Sequence, residues 1–181
     1  MVKIGVVVGS LRKESYARKW AKNFTELFPS EAEITFIEIG KLPLYNEEYD
    51  QQDIPEYNEF RKAVSEQDAI IFSTPEYNRS VPGVLKNAID VGSRPAGQAV
   101  WTGKPAMIMS HSVSGISGAN AVQALRPSLA FLNMPVMGQP EVYLAKSAEF
   151  FDEEGKLNNE GTRKFLQSVA DSFMAHIEKH G

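Results

Sequence analysis

The sequence predicts an α/β fold, a parallel sheet covered by helices on both faces, and three observations carry that reading. Short apolar, β-branched runs such as residues 3–8 and 69–72 recur along the chain, and such runs read as strands buried on both faces. Between them lie segments with apolar residues at three- and four-residue steps, the helical period. Strands that alternate with helices are joined by right-handed crossovers, which place helices on both sides of one sheet. At 181 residues the chain suits one well-cored domain spanning 1–181 and is short for two. The period pattern leaves the strand order open.

Residues 3–8 form the first predicted strand, ending at Gly9. From Ser15, the positions Ala17, Trp20, Ala21, Phe24, Leu27 and Phe28 trace a helix, with Pro29 as its stop. Residues 33–39 alternate and read as the second strand, and residues 42–49 have no clean period and read as a long loop. Pro55 opens a polar helix through Phe60, Ala63 and Val64, and the third strand follows at 69–74. The next helix starts near Pro82, a residue suited to a first turn, and places Val81, Leu85, Ala88 and Ile89 on one face. A fourth strand is predicted at 105–110, and Val122, Leu125, Leu129 and Leu132 mark a helix that Pro127 should kink or break. A short last strand is predicted at 135–142, then a hairpin-like excursion at 151–157, then a long helix through Thr162, Phe165, Leu166, Val169 and Phe173.

Composition narrows the function classes. The net charge of −4 offers no basic surplus for a phosphate backbone, so nucleic acid is not an expected partner. No apolar run approaches the ~20 residues that span a bilayer, so no membrane partner is expected either. The start, residues 1–8, is followed directly by a turn and lacks a cleavage site, so it reads as a strand rather than a signal peptide. The chain has no cysteine, which excludes disulfides and thiolate chemistry and is compatible with a cytoplasmic location.

The most informative stretch runs from Thr74 through Pro75, Glu76, Tyr77, Asn78, Arg79 and Ser80 to Val81 and Pro82. It leaves the carboxyl end of a strand, where ligands bind in open α/β sheets. A bland turn has no need of Glu, Tyr, Asn and Arg in succession between two stiffening prolines. A second loop, residues 9–15, offers the Ser10 and Ser15 hydroxyls, the Arg12 guanidinium and the amides of a helix start, the components of a phosphate-monoester site. It lacks the glycine spacing of a dinucleotide fingerprint and the Gly-Lys-Ser/Thr of a P-loop, which favours a mononucleotide. A third loop, with Ser112, Ser114, Gly115 and Gly118, is small and allows close backbone approach. Backbone groups around Glu76, Tyr77 and Asn78 can bond the edge of a flat ring, with Tyr77 packed beside it. No acid–base pair offers itself as a catalytic engine, which suits a flavin that carries the chemistry itself.

Gly-Ser-x-Arg-x-x-Ser at residues 9–15, and Pro-Glu-Tyr-Asn at 75–78 followed by Pro-Gly-x-Leu-Lys-Asn-Ala-x-Asp at 82–90, resemble the NAD(P)H-dependent FMN reductase family. That group includes bacterial quinone and chromate reductases and some azoreductases, and the resemblance runs over nearly the whole chain. It implies a flavodoxin-like fold with strand order 2-1-3-4-5. It implies FMN as the resident cofactor, with Ser10, Arg12, Ser15, Pro75, Glu76, Tyr77 and Asn78 matching the family's flavin-binding positions and the phosphate in the first loop. NADPH or NADH would be the co-substrate. The acceptor would be a quinone or another small molecule such as free flavin, an azo dye or an oxyanion, reduced by a ping-pong mechanism. The resemblance further implies a homodimer or homotetramer in which the partner chain borders the flavin pocket. Two positions depart from the family pattern: Ala17 stands where asparagine helps hold the phosphate, and Val91 where tryptophan is frequent. Ala17 is therefore expected to weaken flavin retention.

Rival readings are weaker. A flavodoxin-type electron carrier would dock through a strongly acidic face and would carry a Thr-rich phosphate loop, and neither is present. A phosphate-ligand domain without flavin is a further alternative. His111 between Ser110 and Ser112 suggests a hydrolase, but the Gly-x-Ser-x-Gly elbow is missing. His176 and His180 share a helical face without a third ligand, so a solvated, frayed helix end is the expectation.

Overall fold

The computed structural model describes residues 1–181. Five strands form one parallel sheet: β1 (Val2–Val8), β2 (Ala32–Ile37), β3 (Ala69–Pro75), β4 (Ala106–His111) and β5 (Val142–Leu144). Their order is β2-β1-β3-β4-β5, and every pairing is parallel. This is the flavodoxin-like arrangement, with its switch point between β1 and β3. Five helices connect and cover the strands: α1 (Tyr16–Thr25), α2 (Pro55–Ser65), α3 (Gly83–Gly92), α4 (Ala119–Phe131) and α5 (Glu160–His180).

The pleat divides the core. Ile4, Val6 and Val8 of β1 point to one face, with Ile71 and Met109, and pack against Trp20 and Phe24 of α1 and Leu166, Val169 and Phe173 of α5. Val7, Ile70, Phe72 and Ile108 point to the other, against Phe60 of α2, Leu85 and Ala88 of α3 and Leu125 and Leu129 of α4. Successive strand residues are therefore buried on opposite sides, so an unbroken apolar run is what this sheet requires. Ala88 and Val91 belong to this second core and are fully buried, so this side of α3 faces the sheet.

Where α3 ends, Trp101 lies fully buried and donates Nε1–H to the Ile89 carbonyl at 3.1 Å. Its indole touches Phe60 and Phe72, with ring centroids at 5.8 and 5.7 Å. A Cβ on Gly92 would come within 2.6 Å of Trp101 Cε2. The ring has no room to retreat, so Gly92→Ala is expected to cost about 1–3 kcal/mol by overpacking, read from urea unfolding.

Several expectations are corrected. The last strand is not residues 135–142 but Val142–Leu144. Val136 does bridge to Ala106, and the Met137 amide donates to the Ala106 carbonyl at 2.8 Å. The ladder then fails at Gly138 and Pro140, the latter lacking a donor, and resumes only with Val142 against Met109. Pro127 does not break its helix; α4 runs continuously to Phe131. Leu125 and Leu129, on either side of the proline, are buried against the sheet and hold the turn that loses one hydrogen bond. Pro82 lies just outside α3, at its N-cap, and a 3-10 turn (Glu47–Gln51) occupies the end of the predicted long loop. The end of α5 is not frayed: helix continues to His180, and His176 Nε2 lies 2.8 Å from the Pro135 carbonyl oxygen. The excursion after β5 does close as a small antiparallel bridge, Phe151 with Leu157.

Candidate functional site

The register brings three strand ends to one edge. Val8 of β1 pairs with Ser73 of β3, and Pro75 at the end of β3 pairs with His111 at the end of β4. Gly9 makes the turn out of β1 possible, since a Cβ there would meet Thr74 Oγ1 at 2.9 Å. The loops after β1, β3 and β4 therefore converge, and together they line a cleft of about 130 Å³. Its walls are Ser10, Arg12, Ser15 and Tyr16 from the first loop and helix start, Pro75, Glu76 and Tyr77 from the second, and His111, Ser112 and Val113 from the third.

The first loop is a wall of donors. Ser15 is the N-cap of α1, its Oγ accepting from the Arg18 amide at 3.2 Å, and the hydroxyl proton stays free to donate. The amides of residues 10–17 donate to no backbone acceptor. The last of them open α1, where the helix dipole favours an anion. Arg12 is exposed beside them and makes no ion pair within the chain, while Ser10 and Ser15 are buried. One carboxylate lines the cleft, Glu76, and its oxygens are engaged elsewhere. Oε2 accepts from the Asn120 amide at 2.9 Å, and Oε1 from Asn120 Nδ2 at 3.2 Å and Arg79 Nη1 at 3.4 Å. Glu76 thus caps α4 from another loop, which satisfies a helix-start amide and leaves the cleft cationic.

The second loop owes its shape to a two-residue turn. Tyr77 and Ser80 exchange both backbone hydrogen bonds at 2.9 Å, and Asn78 and Arg79 take positive φ of 50° and 65° between them. That is the twist of a type I′ turn, which asparagine adopts readily. It presents the Tyr77 ring, 47% exposed, at the cleft rim. The third loop is pinned from below. The Ser147 amide donates to the Ser112 carbonyl, and the Lys146 amide to that of Ser114, each at 3.1 Å. Gly118 closes the loop at φ 79°, and a Cβ there would strike the His111 carbonyl at 2.9 Å.

Of the residues singled out from sequence, Ser10, Arg12, Ser15, Pro75, Glu76, Tyr77 and Ser112 line this cleft together. Asn78, Ser114 and Gly115 lie on the same loops but outside its walls. The Ala17 side chain does not reach the cleft: its methyl is fully buried in the core, and its carbonyl accepts from Ser73 Oγ at 2.8 Å. Sequence reasoning missed Tyr16, His111 and Val113. Tyr16 follows the N-cap and so stands at the anion-binding end of α1, a signal available from the helix start. Of the two serines beside His111 in sequence, neither bonds it: Ser110 Oγ donates to the Ser117 carbonyl and Ser112 Oγ pairs with Ser114 Oγ, while His111 Nδ1 lies 3.2 Å from Ser147 Oγ. Burial, and then the nearby Arg12 charge, push the His111 pKa down to about 4, so the ring is neutral near pH 7.

A wider groove of about 620 Å³ lies elsewhere, between α3 and α4, with Tyr45, Ile89, Pro127, Phe131 and Leu132 among its walls. It lies away from the strand ends, and its Lys86 and Asp90 pair with each other at 2.7 Å.

A donor-rich cleft at the switch point of this sheet is the architecture of the mononucleotide-binding, flavodoxin-like class. Within that class the match is specific: the profile of the NADPH-dependent FMN reductases covers residues 2–149. The chain belongs to the NADPH-dependent FMN reductase family. It is 52% identical over 176 residues to a quinone reductase of Pseudomonas putida, covering 97% of this chain and 94% of that protein. It is 44% identical over 177 residues to a 2-hydroxy-1,4-benzoquinone reductase of a Burkholderia species, covering 97% and 96%. Among solved structures, FerB, the flavoenzyme NAD(P)H:(acceptor) oxidoreductase of Paracoccus denitrificans, superposes with a TM-score of 0.94 at 38% identity, covering both chains fully.

Proposed function

We propose that this protein is an FMN-dependent oxidoreductase that uses NAD(P)H to reduce quinones and related small acceptors. The observation that carries the reading is the cleft itself, a cationic set of free amides, two hydroxyls and Arg12, with its one carboxylate turned away. These residues fit FMN: Ser10, Arg12, Ser15 and the amides of residues 10–17 hold the phosphate. Glu76, Tyr77, Asn78, Ser112, Ser114 and Gly115, on the facing loops, border the ring. Ala17 contributes its first-turn amide and no side-chain contact. FMN, when bound, supplies the hydride and two-electron chemistry, and the protein supplies position and electrostatics.

The cleft, at about 130 Å³, is smaller than the ~300 Å³ at which sites for ligands of this size begin. It encloses the phosphate end, and the ring lies on the open rim, where Tyr77 and Val113 are 47% and 62% exposed. An open rim suits acceptors that must reach the ring face, and a second copy of the chain would complete its wall. A separate exposed apolar surface that self-association would cover is the groove between α3 and α4, away from the rim, where Phe131 is 89% exposed, together with Leu44 at 80%. No helix is long and apolar enough to cross a membrane, and the cysteine-free chain suits the cytoplasm, where NAD(P)H is available.

The test is the absorbance of protein loaded with FMN under anaerobic conditions. NADPH or NADH should bleach the flavin, and a benzoquinone should restore the colour, with light scattering of the same sample giving at least a dimer. A flavin that neither nucleotide reduces would replace the enzyme with an electron carrier.

A further inference from the structure

His111 is 7% exposed yet forms part of the cleft wall. Its Nδ1 lies 3.2 Å from Oγ of Ser147, a fully buried residue whose hydroxyl also accepts Trp20 Nε1–H at 2.9 Å. Aromatic rings close the surroundings. Trp20 meets Phe151 edge-on at 4.7 Å, Phe151 stacks on Tyr16 at 6.1 Å, and Tyr16 meets the imidazole at 6.3 Å. The ring is therefore fixed, with one nitrogen committed to the interior. The other nitrogen, Nε2, makes no hydrogen bond within the chain and is not among the polar atoms sealed from solvent. In a wall residue this buried, that leaves the cleft as the place where Nε2 is accessible. A held ring with one free polar atom is the arrangement of a preorganised ligand contact.

We propose that His111 is a ligand-binding residue of the cleft, an anchored imidazole whose Nε2 hydrogen-bonds a hydroxyl of the polyol chain linking the flavin's phosphate to its ring. The inference rests on the FMN reading above. His111 meets Tyr16 at the start of α1, beside the phosphate-type loop, and pairs in the sheet with Pro75 of the second loop, so its ring borders both the phosphate end and the ring-side loops that the polyol chain has to join. The phosphate charge is matched by Arg12 and the amides at the start of α1, groups that carry positive potential. A neutral imidazole matches a hydroxyl instead. A hydroxyl donates or accepts, so either tautomer of the ring is served. Ser147 is then a positioning residue, acting through His111.

The test compares FMN with riboflavin, which has the polyol chain and lacks the phosphate, in titrations of flavin-free protein. His111→Ala should weaken both flavins by the same factor, about 2- to 12-fold for a hydrogen bond of ordinary net strength. His111→Gln, whose amide can reach the Nε2 position, should recover most of that loss. Ser147→Ala keeps the imidazole and frees its Nδ1, and should weaken both flavins by a smaller factor. Thermal unfolding of each variant establishes that it is folded, and the two milder variants carry the test if His111→Ala is not. Three results overturn the proposal: affinity unchanged in the variants, a loss confined to FMN, or a glutamine variant no better than alanine. Wild-type protein that takes up neither flavin overturns the FMN reading itself.

Discussion

Arg12→Ala should lower FMN affinity by roughly 10- to 150-fold while leaving riboflavin affinity unchanged. Arg12 is the one cationic side chain on the cleft wall, and nothing within the chain pairs with it. A charge-assisted hydrogen bond to a phosphate contributes about 1.5–3 kcal/mol, which sets the size of the effect. The same residue is exposed and lies between β1 and α1, so its loss removes no core contact and stability should move by less than about 0.5 kcal/mol. Isothermal titration with both flavins measures the two numbers side by side. Equal losses for FMN and riboflavin would move the phosphate away from the first loop. An Arg12→Lys variant sharpens the point. Lysine keeps the charge and gives up the planar fork, so it should retain part of the affinity and show a steeper dependence on salt.

The sheet was legible because its requirements are local. A strand buried on both faces needs an unbroken apolar run, and residues 3–8 and 69–72 supply one without further context. The last strand was not legible for the opposite reason. Val142, Tyr143 and Leu144 are too few to show a period, while the longer apolar run before them is interrupted by Gly138 and Pro140, which end its pairing with β4. Pro127 misled because a proline's cost is local, whereas the burial of Leu125 and Leu129 that outweighs it is tertiary.

The cleft divides in the same way. Ser15 could be recognised as a cap and Arg12 as a free cation from their places at a helix start, and Pro75 to Tyr77 from their place after a strand. The contacts that shape the site join distant parts of the chain: Glu76 with Asn120, and His111 with Ser147. No spacing rule reports either pair. The sequence points to backbone groups around Glu76 for the ring edge, and its carboxylate has a separate task, capping α4 and so fixing the second loop against the third. Asn120 had shown no signal at all, because a helix-start amide attracts notice only when its acceptor is known.

His111 should also make the protein acid-labile, by up to about 3 kcal/mol between pH 7 and pH 4. Its pKa is lowered from 6.5 to about 4, first by burial and then by the Arg12 charge. In the unfolded chain the ring binds a proton as pH falls through ~6.5; in the folded protein it stays neutral until about 4. Across that window the unfolded state holds the extra proton, so stability declines as pH drops, and below it this contribution levels off. Each pH unit in the window costs ~1.36 kcal/mol at most, which gives the total. Arg12, on the β1–α1 loop, is the charge that disfavours the imidazolium. Ser147, facing it from the segment after β5, does not titrate. Urea unfolding of flavin-free protein at pH 7, 5.5 and 4 measures the effect against His111→Gln, in which every other ionisable group is retained. The wild type should lose stability relative to the variant as the pH falls, with the steepest change between pH 6.5 and 4. Parallel pH profiles for the two proteins would show that the ring charges in the folded state as readily as in the unfolded one, and that the pocket around Nδ1 is open to water.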